Sequence, residues 1–141
     1  MRRPTAWEHH GQVFETIVLA TDGEPGAAEA LCTAIALARR YRSRMVVLYV
    51  SRSAAAPRSV RDQVDQLREA QIPTRLAVVS AAGEEASAIT DVAAALHADV
   101  VITGTGNSAT AGDPSFVGRV AQRVLALSRC PVLAVPAGVG R

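Results

Sequence analysis

The stretch Glu15–Asp22 reads ETIVLATD, in which four consecutive apolar residues, Ile17–Ala20, are followed at once by polar residues and Gly23. A short continuous apolar run of this kind, closed by turn residues, is typical of a strand buried on both faces. Four later segments have the same character. They are Met45–Val50, Pro73–Ser80, Asp99–Thr103 and Val132–Val135.

Segments with helical periodicity separate these strands. Helices are predicted over Ala27–Tyr41 and Ser59–Gln71, a third from about Gly83, and a fourth before the last strand. Because strands that alternate with helices pair in parallel through right-handed crossovers, the sequence predicts an α/β fold with one parallel sheet. The predicted buried stripes are Leu31, Ile35 and Ala38; Val60, Val64 and Leu67; Ile89, Val92, Ala93 and Leu96; and Val117, Val120, Val124 and Leu127.

Length and composition fit one domain. The chain has 141 residues, 49% of them hydrophobic, which is enough to bury a core without disulfides or metals. We predict a flexible leader over residues 1–13, one domain over 14–137 and a short tail over 138–141. The leader lacks the apolar run of a signal peptide and no segment reaches membrane-spanning length, so we expect a soluble cytoplasmic protein with no membrane partner.

The basic residues restrict the chemistry. All 15 are arginine, against 13 acidic residues, which gives a net charge of +2. The lack of lysine excludes a Walker-type phosphate loop and Schiff-base chemistry, because both need a lysine amine. The arginines are spread along the chain without interleaved aromatic residues, so we expect no nucleic-acid partner.

Residues with metal or thiol chemistry are few. Cys32 and Cys130 have no metal or disulfide spacing, and we expect both to be buried reduced thiols. No structural metal is expected, because no pairing of histidine and carboxylate has ligand spacing. The sequence leaves open the role of Trp7, His9 and His10 in the leader.

Three segments resemble the universal stress protein family. ETIVLATDG at Glu15–Gly23 is similar to the family's first strand with its aspartate, and ADVVITGT at Ala98–Thr105 is similar to its fourth strand with the glycine that follows. RVLALSRCPVLAVP at Arg123–Pro136 is similar to the family's closing helix and strand. The order and spacing of the three segments match the family along nearly the whole chain.

The resemblance implies a Rossmann-like, adenine nucleotide alpha hydrolase-like fold with a five-stranded sheet of order 3-2-1-4-5. It also implies a homodimer paired through the last strand, Val132–Val135, an edge that would otherwise stay open. Family members act in stress survival and signalling, and many bind ATP, whereas one branch lacks the phosphate loop and does not. Protein partners other than a second copy are not indicated.

The phosphate loop departs from the family's pattern, which is Gly-x-x-Gly followed after a spacer by Gly-Ser or Gly-Thr. Gly104 begins the motif, but Asn107 stands at the second glycine position, with Gly106 one residue early. Arg119 follows Gly118 where the family has a hydroxyl residue. Asparagine tolerates left-handed backbone and arginine pairs with phosphate, so both replacements are compatible with binding.

Asp113 and Pro114 argue against a phosphate-binding loop. They resemble a helix N-cap and a first helical residue, and a helix that began there would take up the amides near Gly118. ATP binding is therefore left open by the sequence. The resemblance assigns nucleotide binding to Ala20, Asp22, Val50, Thr103, Gly104, Gly106, Asn107, Gly118, Arg119 and Val120.

The sequence supports a small stress-response module that binds or senses and has no catalytic residues. The alternative is a stress protein that binds no nucleotide and acts through its dimer and partners. An enzyme is the weakest reading, because the sequence lacks a Gly-x-Ser-x-Gly elbow and offers only Asp22 and Asp113 near the expected site, although weak ATP hydrolysis stays open. Asp22 also has a simpler role available, as the residue that forms the turn after the first strand.

Overall fold

The computed structural model describes residues 14–53, 55–81, 83–105 and 118–137. Strands and helices alternate along these residues, with one turn of 3-10 helix at Pro25–Ala27 before the first α-helix. The strands are β1 (Thr16–Ala20), β2 (Arg44–Ser51), β3 (Thr74–Ser80), β4 (Val100–Gly104) and β5 (Val132–Val135). The helices are α1 (Ala28–Tyr41), α2 (Arg58–Glu69), α3 (Glu85–Ala95) and α4 (Arg119–Leu127).

The five strands form one parallel sheet in the order β3-β2-β1-β4-β5. The predicted α/β class and strand order are therefore confirmed. β1 pairs with β2 on one side and β4 on the other, and the direction of the crossovers reverses between β1 and β4. In open parallel sheets this reversal creates a crevice at the carboxyl ends of the strands, where ligands bind.

The side chains of β1 alternate between two apolar layers. Ile17 and Leu19 pack with residues of α1 and α2 on one face of the sheet. Val18 and Ala20 pack with residues of α3 and α4 on the other. Every residue of β1 is buried, as expected of a central strand covered by helices on both faces.

The helical stripes predicted for α1 and α2 agree with the structure. Val60, Val64 and Leu67 of α2 are buried, and so is Leu31 of α1. In α3 the prediction is wrong at its last position, since Leu96 is 36% exposed. The reason is that α3 ends at Ala95, and His97 then takes a left-handed conformation with φ of 53°.

The stripe predicted for α4 is wrong at two positions. Val120 and Leu127 are each 37% exposed, whereas Ala121 and Val124 are buried. At 3.6 residues per turn, Val120 and Leu127 lie on one flank of the face that Ala121 and Val124 direct towards the sheet. Val117, also predicted for this stripe, lies outside the described residues.

Cys32 is exposed, which contradicts the expectation that both thiols are buried. Its neighbour Leu31 faces the sheet, and consecutive residues of an α-helix point about 100° apart, so Cys32 turns towards solvent. Cys130 is partly buried, and both cysteines are free.

The helices are short. The longest described one, α1, has 14 residues. Among the described residues, no helix is long and apolar enough to cross a membrane.

Candidate functional site

The carboxyl edge of the sheet has a step in it. β1 ends at Ala20, which pairs with Leu48 of β2 and Thr103 of β4. β2 continues past this point to Ser51 and stays paired with β3. The extra residues of β2 therefore form a wall beside the gap above β1, at the switch point of the sheet.

The backbone of Val50 faces this gap. In a parallel sheet, successive residues of a strand direct their N–H and C=O groups to opposite neighbours. The N–H of Met45 donates to Pro73 C=O on the β3 side at 2.8 Å, whereas Leu48 C=O accepts from Thr21 N–H on the β1 side at 3.1 Å. By the same alternation, the N–H and C=O of Val50 point to the β1 side, where β1 has already ended.

The loop after β1 turns sharply at Asp22. Asp22 Oδ1 accepts a hydrogen bond from Glu24 N–H at 2.9 Å, and Thr21 Oγ1 accepts one from Gly23 N–H at 3.1 Å. The turn-forming role of Asp22 is therefore present. Its second carboxylate oxygen accepts no hydrogen bond from the described residues, so the side chain is also available to a ligand.

α4 begins at the opposite side of the gap. Gly118 is its N-cap residue, with φ of −62° and ψ of 162°, and Arg119 is its first helical residue. Gly118 N–H donates to Thr105 C=O, and Thr105 N–H donates to Val135 C=O at 3.1 Å, so the start of the helix is tied to the ends of β4 and β5. Among the described residues no side chain caps α4, and the first-turn amides, beginning with Arg119, have no partners within the helix.

A salt bridge joins α4 to the start of α3. Arg123 Nε donates to Glu84 Oε1 at 2.5 Å, and Arg123 Nη2 donates to Glu84 Oε2 at 3.3 Å. The hydrogen bond from Arg123 lowers the pKa of Glu84, and partial desolvation opposes that shift. Both helices thus begin at the carboxyl edge of the sheet, on the face that carries Ala20 and Val50.

A cavity of about 340 Å³ opens where β2 and β3 end. Two charged side chains border it, Arg52 from the loop after β2 and Glu85 from the first turn of α3. Partial burial, and next the negative charge of Asp22, raise the pKa of Glu85, while Arg52 opposes the shift. The cavity is lined by Tyr49, Val50, Ser51, Arg52, Ser53, Ala81, Gly83 and Glu85.

The loop beside this cavity is held in place by a buried hydroxyl. Ser51 is buried, and its Oγ accepts from Ser53 N–H at 3.0 Å and donates to Ala55 C=O at 3.1 Å. These bonds set the path of the chain that carries Arg52, so the cavity has a preformed wall.

The profile of universal stress proteins matches residues 14–136. The chain belongs to the universal stress protein family. No curated protein matches its sequence significantly.

Solved structures of this family share the fold. A universal stress protein in complex with cAMP superposes with a TM-score of 0.72 at 23% identity, over 89% of this chain and 98% of the other. A universal stress protein of Archaeoglobus fulgidus in complex with dAMP gives 0.68 at 18%, over 87% and 98%. The universal stress protein UspA of Lactobacillus plantarum gives 0.72 at 17%, over 86% and 97%.

The structure of this universal stress protein brings most of the predicted site residues to one edge of the sheet. Those at the carboxyl edge are Ala20, Asp22, Val50, Thr103, Gly104, Gly118, Arg119 and Val120. Gly106 and Asn107 lie outside the described residues, and so do Asp113 and Pro114. Gly118 itself has extended backbone, and α4 begins at Arg119.

Sequence reasoning missed the part of the site formed by β3 and α3. Glu85 is not among the site residues predicted from the sequence. The signal that could have found Glu85 is its place after the carboxyl end of β3, because ligands of open parallel sheets bind at the carboxyl ends of the strands. Within the described residues, no group of three metal-ligating side chains occurs.

Proposed function

We propose that this universal stress protein binds an adenine nucleotide in the gap above β1 and acts as a sensing module. The observation that carries the proposal is the start of α4. No side chain of the described residues caps its first-turn amides, which lie at the end of β4, across the switch point from the backbone edge of Val50. One end of the gap therefore suits an anion and the other end suits a base.

The phosphate end combines a helix N-terminus with a cation. Free first-turn amides and the helix dipole favour a negatively charged group at Gly118. Arg119 replaces the hydroxyl residue of the family, and its guanidinium forms no ion pair with the described residues. A guanidinium donates two parallel hydrogen bonds to a phosphate and compensates for the missing hydroxyl.

The base end has a donor and an acceptor side by side. The N–H of Val50 can donate to the ring nitrogen N1 of adenine, which is an acceptor. The C=O of Val50 can accept from the 6-amino group, which is a donor. The free oxygen of Asp22 suits a ribose hydroxyl between the two ends. The complexes of family members with cAMP and dAMP support an adenine nucleotide as the ligand class.

Isothermal calorimetry with ATP tests the proposal. We expect binding by the natural protein and a clear loss of affinity in Asp22→Ala. Arg119→Ala should weaken ATP much more than adenosine, because only ATP has phosphates for Arg119 to contact. No heat with ATP, at concentrations up to the millimolar range, would leave the alternative of a stress protein that binds no nucleotide.

We propose no catalytic step. Asp22 and Glu85 are the carboxylates that we place at the base end of the gap, and within the described residues neither makes a hydrogen bond to a histidine that would act as a proton carrier. The matching measurement is phosphate release during incubation with ATP. A steady rate that Asp22→Ala abolishes would overturn this part of the proposal.

The assembly we propose is a homodimer through β5. β5 is an edge strand, and Leu133 on it is exposed although it is a leucine. Val120, Leu125 and Leu127 of α4, the helix that leads into β5, are exposed as well. A second copy related by a two-fold axis would pair the open edge and cover apolar surface.

Analytical ultracentrifugation tests this assembly. We expect a dimer for the natural protein and a monomer for Leu133→Arg, because a charge would be forced into the paired surface. Leu96→Arg places the same charge on an exposed leucine at the end of α3 and is the matched control. A natural protein that sediments as a monomer at micromolar concentration would contradict the proposed dimer.

A further inference from the structure

Glu85 stands out among the acidic residues at the carboxyl edge. It lines the cavity together with Val50, and it begins α3. Its neighbour Glu84 is engaged by Arg123, whereas the Glu85 carboxylate has no hydrogen bond or ion pair within the described residues. An acid in a first helical turn stabilises the helix slightly, but that effect does not require a place in a cavity wall.

The charges around Glu85 come from two other loops. Asp22 approaches from the loop after β1 and raises the pKa of Glu85, and Arg52 approaches from the loop after β2 and lowers it. Glu85 is solvent-exposed, and it lies close enough to the loops that follow β1 and β2 for the charges of Asp22 and Arg52 to act on its carboxylate. This is the region in which a base bound to Val50 would lie.

The 6-amino group of adenine has a second hydrogen that could bind to the Glu85 carboxylate. If Val50 takes N1 and one hydrogen of the 6-amino group, the second amine hydrogen remains on the side of N7. An oxygen acceptor is the group that satisfies that hydrogen, and amide side chains read this edge of adenine in nucleic-acid complexes. A 6-oxo purine offers no hydrogen there.

We propose that Glu85 is a base-specificity residue that accepts the second amine hydrogen of a 6-aminopurine. The inference rests on the proposed function and extends it from nucleotides in general to a named class of base. Purines with a free 6-amino group are preferred over those with a substituted amine or an oxygen at that position. Glu85 determines which base is bound, whereas the phosphate end of the site contributes affinity that does not depend on the base.

The test compares ATP with N6-methyl-ATP by calorimetry. The methyl group removes one amine hydrogen and leaves the triphosphate unchanged, so the ratio of the two affinities cancels the repulsion between Glu85 and the phosphates. In the natural protein we expect ATP to bind about tenfold or more tightly than the methylated analogue, the effect of one hydrogen bond to a charged acceptor. In Glu85→Ala the ratio should be about tenfold smaller than in the natural protein, because the acceptor is gone. The cost of turning the methyl group from the N1 side to the N7 side is the same in both proteins and cancels in this comparison.

Two further variants serve as controls for the role of Glu85. Glu85→Gln retains an oxygen acceptor of the same shape and should keep the preference for ATP. Glu69→Gln makes the same change at the end of α2, on the opposite edge of the sheet, and should match the natural protein. Circular dichroism of each variant establishes that the fold is intact.

The outcomes separate this inference from the proposed function. If ATP binds and Glu85→Ala keeps the full preference over N6-methyl-ATP, the role of Glu85 is refuted and nucleotide binding stands. If the natural protein binds neither ligand, the proposed function is refuted and the specificity role with it. Equal affinity for the two ligands in the natural protein also overturns the role of Glu85.

Discussion

Arg123 donates to both carboxylate oxygens of Glu84, and this one contact joins the residue that caps α3 to the second turn of α4. The two helices cover the same face of the sheet. Their starting points, Glu84 and Gly118, border the gap from two sides. The salt bridge therefore links the elements that we assign to the base and to the phosphates.

The Glu84–Arg123 pair should stabilise the fold in a pH-dependent way. Because the folded state lowers the pKa of Glu84, its contribution is present above the ordinary pKa of 4.5 and is lost as the pH falls through the lowered value. Arg123→Gln should reduce Tm at pH 7 by on the order of 2 °C, since the pair is solvent-exposed, and should have a smaller effect near pH 3. Thermal unfolding followed by circular dichroism measures this. Arg129→Gln is the control, and a Tm difference that is the same at both pH values would contradict the assignment.

Gly23 cannot be replaced by alanine without cost. Its φ is 74°, and an added Cβ would lie 2.6 Å from Ser59 Oγ and 2.9 Å from Val60 Cγ2 at the start of α2. We expect Gly23→Ala to lower the free energy of unfolding by about 1–3 kcal/mol in urea titrations. Gly83→Ala is the matched control, because its Cβ would meet nothing within 4 Å. Equal stability of the two variants would show that the loop after β1 relaxes freely.

Leu67 and Leu96 form a matched pair for the core. Leu67 of α2 is fully buried, whereas Leu96, just after α3, is partly exposed. Leu67→Ala should cost about 2–5 kcal/mol in unfolding free energy, because it removes buried surface and leaves a cavity. Leu96→Ala should cost less than about 1 kcal/mol. Similar losses at both positions would mean that Leu96 is covered in solution, for example by another chain.

Glu85 should oppose folding slightly at neutral pH. Its pKa is raised in the folded state, so the ionised form is less favourable there than in the unfolded chain, and the penalty disappears as the pH falls below the ordinary pKa. Glu85→Gln should therefore be more stable than the natural protein at pH 7, by a few tenths of a kcal/mol after solvent screening. The difference should vanish near pH 3. A less stable Glu85→Gln at pH 7 would indicate a structural role for the carboxylate.

The fold was predictable because the apolar pattern of this chain is unambiguous. Ile17–Ala20 and Val132–Val135 were recognised as strands, and both are strands in the structure, β5 with the same bounds. Errors arose at helix ends, where periodicity carries no information about where a helix stops or starts. Leu96 was included because it continues the spacing of Ile89 and Ala93, although the helix has already ended.

The candidate site was predictable only in part. Asp22 and Val50 were found through the resemblance to the family, whose nucleotide-binding positions they match. The start of α4 was left open between Asp113 and Gly118, since both a proline and a glycine can begin a helix, and only the backbone at Gly118 decides it. The role of Glu85 depends on three loops meeting in space, which no local pattern encodes.

α4 contributes to both the proposed nucleotide site and the proposed dimer, the first through its first turn at Arg119 and the second through the exposed side chains of Val120 and Leu127. A helix of nine residues moves as one rod, so a shift of its first turn displaces its apolar flank as well. Thermodynamic reciprocity then applies: if a nucleotide strengthens the pairing of two copies by some factor, pairing tightens nucleotide binding by the same factor. The concentration of the protein itself would thereby set the nucleotide level to which it responds.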